Sequence, residues 1–194
     1  MKLTKKQKEI IKEVHDHVRK ECIGFAEDDV FKNHVLGVRD FAVRLAKEYN
    51  ADLFSVIIAS YMHDLYFIKT RDHSVHEIQG SEYARHFLEK YNLPSQETDK
   101  IANCILNHRG SKNNLRNSIE EKIVACADAM DHIDRFLPMF YRISKRMSYK
   151  EAVEWITGKI ERSWKKVSLK KAREMIRPKY MAAKIVFEGS DKYF

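Results

Sequence analysis

One of the nine histidines ends an apolar segment and is followed directly by a carboxylate. The segment SVIIASYMHDLYF, residues 55–67, resembles a buried helix up to Met62 and then continues with His63 and Asp64. Neighbours on a helix are about 100° apart and rise about 1.5 Å, so at a helix end both side chains can converge on one ion. An imidazole and a carboxylate supply nitrogen and oxygen ligands for a divalent metal. The dipeptide alone is common by chance, and a hydrogen-bonded pair or an exposed helix end are the alternatives.

Two distant residues give this pair a context. His34 lies at the start of an earlier helix, and Asp128 interrupts the apolar stripe of IVACADAMD. A buried carboxylate without a partner costs several kcal/mol, so Asp128 needs one. A metal ion shared with His34 and the His63–Asp64 pair is such a partner. A helix cap, a salt bridge or exposure of Asp128 are the alternatives.

The elements that position these residues are all predicted to be helices. Apolar residues recur at spacings of three and four, no alternating strand pattern persists, and only three prolines and six glycines are present. The predicted helices span residues 4–20, 28 or 29 to 49, 52–65, 79–91, 95–108, 118 onward, 148–166 and 169–187. Loops are predicted at 66–76 and 109–118.

Helix ends are predicted from capping and proline signals. Ser118 with Glu121 has the spacing of a capping box, and Ser95 with Thr98 resembles a capped start. Pro178 is expected to kink or interrupt the last helix. Histidines 15, 17, 86 and 132 fit exposed helical faces, whereas histidines 34, 63, 73, 76 and 108 remain as candidates for chemistry.

Composition limits the class of protein. A length of 194 residues fits one domain. No apolar run is long enough to span a bilayer, and the charged N-terminus does not resemble a secretory signal. The three cysteines are scattered and form no CxxC motif, which predicts reduced, buried thiols. We therefore expect a cytoplasmic protein without membrane contact.

The net charge of +8 is unevenly distributed. Residues 139–194 hold 15 Lys and Arg against 6 Asp and Glu, whereas residues 1–138 hold 21 against 22. Such a basic third can attract nucleic acid or a polyanionic small molecule. The alternative is a solvated basic face on the final helices, since no aromatic-basic recognition pattern accompanies the charge.

Several motifs in order resemble one family. The series His34, His63–Asp64 and Asp128 looks like the HD-domain metal-dependent phosphohydrolases. The segments NHVLGVRDFAVRLAKEYNADLFSVIIASYMHDL, HEIQGSEYARHFLEKYNLP, IANCILNHRGS and IEEKIVACADAMDHIDRF resemble that family's successive helices. The likeness covers roughly residues 30–136, and the basic tail is similar to the extra C-terminal helices of small bacterial members.

The resemblance implies a fold and a ligand set. The expected fold is all-α, a multi-helix bundle of the HD-domain type forming a single domain, 1–194. It would comprise an N-terminal helix (1–22), the HD core (30–136) and a basic helical C-terminal extension (139–194). The implied ligands of one divalent ion, which could be Mn, Mg, Fe, Ni, Co or Zn, are His34, His63, Asp64 and Asp128. In members with two ions the Asp of the pair bridges them, and His76 and His108 would serve the second ion here or, alternatively, bind phosphate or water.

The sequence also departs from that pattern. Many members place a Lys three residues after the His-Asp pair, and other members place a Glu there. This chain has Phe67 at that position, with Lys69 as a substitute that either reaches the substrate or is merely solvated. Arg109 and Lys112 are further candidates for phosphate binding. Asp131 could hold a ligand histidine in its tautomer, or form an outward salt bridge.

The implied activity is hydrolysis of a phosphoester or phosphoanhydride bond in a nucleotide-like substrate, with Asp64 as the catalytic residue that orients or deprotonates water. One alternative is a phosphodiesterase acting on cyclic or oligomeric nucleotides. Another is a non-catalytic helical module that binds nucleotide or nucleic acid through the basic third. Aromatic residues of the tail could pack on the domain or on a second subunit, so a homodimer stays open.

Overall fold

The described structure, a computed structural model, covers residues 2–25, 29–109 and 115–189. Helices follow one another along these residues and no strand is found among them, which confirms the all-α prediction. The elements are α1 (Lys5–Glu21), a π-helical turn (Phe31–Val35), α2 (Leu36–Glu48), α3 (Leu53–Met62), α4 (Leu65–Thr70), α5 (His76–Glu89), α6 (Ser95–Leu106), α7 (Ile119–Asp134), α8 (Phe136–Ser144), α9 (Tyr149–Lys166) and α10 (Lys170–Phe187).

Local capping explains where several helices begin. Capping boxes open α1, α7 and α9, and the predicted Ser118–Glu121 pair is one of them. The second predicted helix begins where the Asp29 carboxylate accepts a hydrogen bond from the amide of Lys32, whereas Asp28 lies outside the described residues. The predicted cap at Ser95 is wrong: Ser95 is the first residue of α6, and the preceding Pro94 provides no side-chain hydrogen bond.

Other boundaries differ from the sequence prediction. The predicted loop at 66–76 contains most of α4, which is capped by Arg71 in the left-handed region with φ of 65°. Pro138 lies in the first turn of α8, where its missing amide hydrogen removes no helical bond. The last helix is not interrupted, because α10 continues through Pro178.

Two central helices carry the His-Asp pair and Asp128. Nine successive residues of α3, Phe54–Met62, are buried, and twelve of the sixteen residues of α7 are buried. A helix that is buried all round must be covered on every side. Helices α2, α3 and α6 pack on α7, as do α9 and α10 of the C-terminal extension. The ends of these two helices are therefore fixed relative to each other by the core.

The C-terminal extension packs within the chain. Trp164 of α9 stacks on Tyr180 of α10 with ring centroids 4.3 Å apart, and Phe187 contacts Phe136 and Phe140 of α8. The Ser168 amide, between α9 and α10, lies 3.3 Å from the Cys126 sulfur of α7. No helix in the described part of the chain combines the length and apolar character needed to cross a membrane.

Candidate metal centre

The His63–Asp64 pair occupies the junction between α3 and α4. His63 keeps helical backbone angles after the last residue of α3, and Asp64 has left them, with φ of −108° and ψ of 7°. The Nδ1–H of His63 donates to the carbonyl of Ser60 at 2.9 Å, so the Nε2 lone pair points away from the helix. Burial lowers the pKa of His63 to about 4, so the imidazole is neutral near pH 7.

His34 reaches the same point from a π-helical turn. Such turns insert an extra residue into a helix and occur frequently at functional sites. The Nδ1 of His34 is hydrogen-bonded to Asp131 at 2.7 Å, which leaves Nε2 facing the junction. That Nε2 atom lies 3.2 Å from the Nε2 of His63 and 3.5 Å from a carboxylate oxygen of Asp64.

Asp128 completes the first group of four. Its Oδ1 atom lies 3.5 Å from the Nε2 of His34 and 3.9 Å from that of His63. Oδ1 is buried and accepts no hydrogen bond from any described residue, whereas Oδ2 is bonded to the ammonium of Lys166 at 2.5 Å. A buried carboxylate oxygen that accepts no hydrogen bond and faces two imidazole nitrogens is suited to hold a cation at that point.

The spacing of these atoms fits one divalent ion. Ligands bonded to a metal at about 2.0–2.1 Å and subtending 90–110° lie about 2.8–3.4 Å from one another. The distances of 3.2 and 3.5 Å around the Nε2 of His34 are close to this range. The structure thus brings together all four predicted ligands, which come from separate parts of the chain.

A second group shares Asp64. The Oδ1 atom of Asp64 lies 3.3 Å from the Nε2 of His76 and 3.4 Å from the Nε2 of His108, while Oδ2 faces His34 and His63. The Nδ1 atoms of His76 and His108 bond to the carbonyls of His73 and Ile105, at 3.2 and 2.6 Å. Asp64 therefore offers one oxygen to each group, an arrangement that suits two neighbouring cations.

The carboxylates of the two histidine groups make the space between the histidines favourable for positive charge. Burial raises the pKa of Asp64, but His63, His108 and His34 outweigh it and hold that pKa well below its usual range. Burial likewise opposes the charge on Asp128, and His132 and Lys166 together with His63 and His34 hold its pKa well below its usual range. Both carboxylates are therefore ionised near pH 7 and attract a proton or a metal ion to the space between the histidines.

Asp131 holds His34 in place and is itself held. It accepts from Arg135 Nε at 2.9 Å as well as bonding to His34, so both predicted alternatives for Asp131 occur together. Gly37 makes the approach possible, because a β-carbon at Gly37 would overlap Asp131 Oδ1 and crowd Arg135 Nε. The close packing of α2 on α7 thus depends on the absence of a side chain at this position.

The predicted phosphate-binding residues have different positions. Arg109 follows His108 and donates to Glu77 at 2.9 Å and to the carbonyl of Ser74, so it lies beside the second group. Lys69 instead forms an ion pair with Glu21 at 3.0 Å and lies over the ring of Tyr83, which argues against the predicted contact with substrate. Lys112 lies outside the described residues.

Sequence reasoning missed His132 and Lys166. His132 was predicted to be exposed, but its ring lies parallel to that of His34 at 5.2 Å, and its Nε2 is 3.5 Å from Asp128 Oδ1. The signal was present in the sequence, since Asp128 and His132 are four residues apart and share a helix face. Lys166 is 38 residues from Asp128, and no local pattern could have paired them.

Comparison with known proteins identifies relatives by sequence and by fold. Residues 31–133 match the HD domain family. No curated protein sequence matches the chain. Similar solved structures include a predicted HD superfamily hydrolase from an uncultured Thermotogales bacterium, with 19% identity, coverage of 94% and 92% of the two chains and a TM-score of 0.67. Another is Bacillus subtilis YpgQ in complex with ADP, with 21% identity, coverage of 96% and 96% and a TM-score of 0.73.

Proposed function

The chain belongs to the HD domain family, and from this premise we propose that it is a metal-dependent phosphohydrolase acting on a phosphoester or phosphoanhydride bond of a nucleotide-like substrate. The observation that carries the proposal is the buried Oδ1 atom of Asp128. It faces the imidazole nitrogens of His34 and His63 and accepts no hydrogen bond within the described residues.

We assign the side chains to two ion positions. His34, His63, Asp64 and Asp128 would hold the first ion, and Asp64, His76 and His108 would hold a second. A divalent ion bound there would lower the pKa of a water molecule and polarise a phosphoryl oxygen. The donor set of imidazole nitrogens and carboxylate oxygens is compatible with manganese, iron, cobalt, nickel, zinc or magnesium. We propose one or two such ions per chain and assign no element to them.

Asp64 is proposed as the catalytic residue. Its low pKa makes it a weak base, so its role would be to orient the attacking water by accepting a hydrogen bond. Arg109 is proposed to contact the substrate phosphate, because its guanidinium bonds to Glu77, Ser74 and His73 close to His76 in sequence and has five donors in all. Lys112 stays a prediction from the sequence.

Two observations support a nucleotide-like substrate. The similar YpgQ structure was determined with ADP, and the basic excess of this chain lies in an extension that packs against the site-bearing helix α7. We also propose a cytoplasmic location, because the three cysteines are free and buried, as expected for a reducing compartment.

A second candidate follows from the second histidine group. Two adjacent cations sharing one carboxylate are typical of enzymes that cleave phosphodiesters by in-line displacement. The group formed by Asp64, His76 and His108 therefore favours a phosphodiesterase acting on cyclic or oligomeric nucleotides as the alternative. A screen with added manganese separates the two, using nucleoside mono-, di- and triphosphates alongside cyclic and oligomeric nucleotides.

The decisive experiment combines this screen with Asp64→Ala. Wild-type protein should contain about one or two divalent ions per chain and turn over at least one compound of the panel, with loss of turnover in chelator. Asp64→Ala should lose the ions and at least about a hundredfold in turnover, because a shared ligand worth several kcal/mol is removed.

Asp40→Ala is the matched control, since its carboxylate is on α2 and 64% exposed. It should leave metal content and turnover unchanged. Full metal content and wild-type turnover in Asp64→Ala would show that the assignment of this carboxylate is wrong.

A further inference from the structure

One face of α9 directs positive charge toward the metal centre. Lys159 and Lys166 are two helical turns apart and therefore lie on the same face. The ammonium of Lys166 bonds to Asp128. Lys159 is partly buried, and the charges of Asp128 and Asp64 attract its ammonium. It forms no ion pair or hydrogen bond with any residue that the structure describes.

A partly buried ammonium without a direct partner is costly, and burial lowers the pKa of Lys159 accordingly. The carboxylates of Asp128 and Asp64 offset the charge of Lys159 only in part. Asp128 is already bonded to Lys166, and Asp64 faces four histidines. With a divalent ion between those histidines, the carboxylates would be neutralised further. Lys159 would then have surplus positive charge directed at whatever binds next to the ion.

We propose that Lys159, with Lys166 on the same face of α9, forms a subsite for a phosphate group adjacent to the one held at the metal centre. This inference rests on the proposed phosphohydrolase function and narrows its substrate. An ammonium donates to phosphate oxygens as a point charge with three donors, so Lys166 can keep its bond to Asp128 and still contribute. A substrate that fills both positions contains two linked phosphates, and the bond class is therefore a phosphoanhydride.

The subsite also gives part of the basic extension a function. Lys166 bonds to Asp128 of the centre and Lys159 is partly buried on the same helix face, whereas Lys165 of the same helix is exposed. The extension thus contributes charge to the catalytic centre from outside the segment that matches the HD family, residues 31–133. This role requires no nucleic acid as the partner of the basic third.

The test measures binding to the manganese-loaded full-length protein, with methylenediphosphonate and orthophosphate as probes. Methylenediphosphonate has two linked phosphorus groups and resists hydrolysis, so binding is measured without turnover. Wild-type protein should bind the diphosphonate more tightly than orthophosphate. Lys159→Met should weaken diphosphonate binding about ten- to hundredfold, the usual range for a lost hydrogen bond to a charged group, while orthophosphate binding changes by less than about threefold.

Two matched variants control the experiment. Lys165→Met removes an exposed charge from the same helix and should bind both probes as the wild type does. Lys159→Arg keeps the charge and should retain most of the diphosphonate affinity. Calorimetry gives the affinities, and elemental analysis together with thermal melting shows that each variant is folded and manganese-loaded.

Three results would overturn the subsite. They are unchanged diphosphonate affinity in Lys159→Met, an equal loss for both probes, and loss of manganese from that variant. Failure of the proposed function is distinguishable, because it would appear as wild-type protein without chelator-sensitive turnover in the nucleotide screen, whatever the Lys159 variants bind.

Discussion

The four histidines of the centre share one feature of orientation. In each of them Nδ1 is bonded to a backbone carbonyl or to Asp131, and Nε2 faces a carboxylate of the centre. A histidine fixed at one nitrogen presents the other in a defined tautomer, which is how metal-binding histidines are commonly held. These hydrogen bonds therefore fix each ring with its Nε2 atom directed into the centre.

This arrangement predicts a pH-dependent metal affinity. Burial lowers the pKa of His34, but Asp131 and Asp64 outweigh it and raise that pKa to about 10. Below that pH His34 carries a proton that an incoming ion must displace, so affinity falls as pH falls. Between pH 9 and pH 7 the dissociation constant for manganese should rise about tenfold per pH unit, as measured by competition with a chelating dye. His63 adds nothing in this range, because its pKa is lowered to about 4.

Asp131→Asn provides the control for that prediction. The amide removes the negative charge that raises the pKa of His34, so the dependence on pH between 7 and 9 should flatten. Its affinity for manganese at pH 9 should also drop about ten- to hundredfold, the usual effect of removing a partner that orients a ligand. A wild-type affinity that stays constant from pH 7 to pH 9 would contradict the assignment of His34.

At the scale of elements, the site depends on how closely α2 approaches α7. A β-carbon at Gly37 would displace Asp131 from His34, so Gly37→Ala should weaken manganese binding at least about tenfold. It should also lower the free energy of unfolding by about 1–3 kcal/mol through overpacking. Urea unfolding and metal titration measure the two effects.

Gly158→Ala is the matched substitution for Gly37→Ala. Its new β-carbon would meet only the end of the Arg162 side chain, at 3.0 Å, and that flexible group can move. The variant should bind manganese normally and gain up to about 1 kcal/mol of stability from the better helix propensity of alanine. Normal metal binding in Gly37→Ala would show that the contact between Asp131 and His34 is dispensable.

Most of the long helices could be predicted from the sequence, because their apolar periodicity extends over several turns. Helices with long apolar periodicity and a capping box were placed within one or two residues, at both ends for α1 and α9 and at the start for α7. The short helices α4 and α8 were missed, since six and nine residues give too little periodicity to distinguish a helix from a loop. The four proposed ligands were grouped from the burial argument for Asp128 and from the resemblance to the HD family, whereas the contact of Lys166 with Asp128 depends on tertiary packing that no local spacing encodes.

At the scale of the whole molecule, the C-terminal extension and the HD core share α7. Helix α7 bears Asp128, Asp131 and His132 and is buried on nearly every face, partly by α9 and α10. Lys166 links α9 to a proposed metal ligand through a bond at 2.5 Å. Because the same helix serves both parts, removing the extension would expose apolar surface of α7. We therefore propose that residues 1–194 form one cooperative unit.

The positions of the tryptophans allow a test of this cooperativity. Both of them, Trp155 and Trp164, belong to α9, so their fluorescence reports the extension, whereas far-ultraviolet circular dichroism reports all helices. In urea the two signals should give coincident transitions, as a two-state domain requires. Manganese at about a hundred times its dissociation constant should raise the free energy of unfolding by about 2.7 kcal/mol and shift both transitions equally. A fluorescence transition with a different urea midpoint from the dichroism transition, or one that manganese does not shift, would show that the extension folds independently of the metal centre.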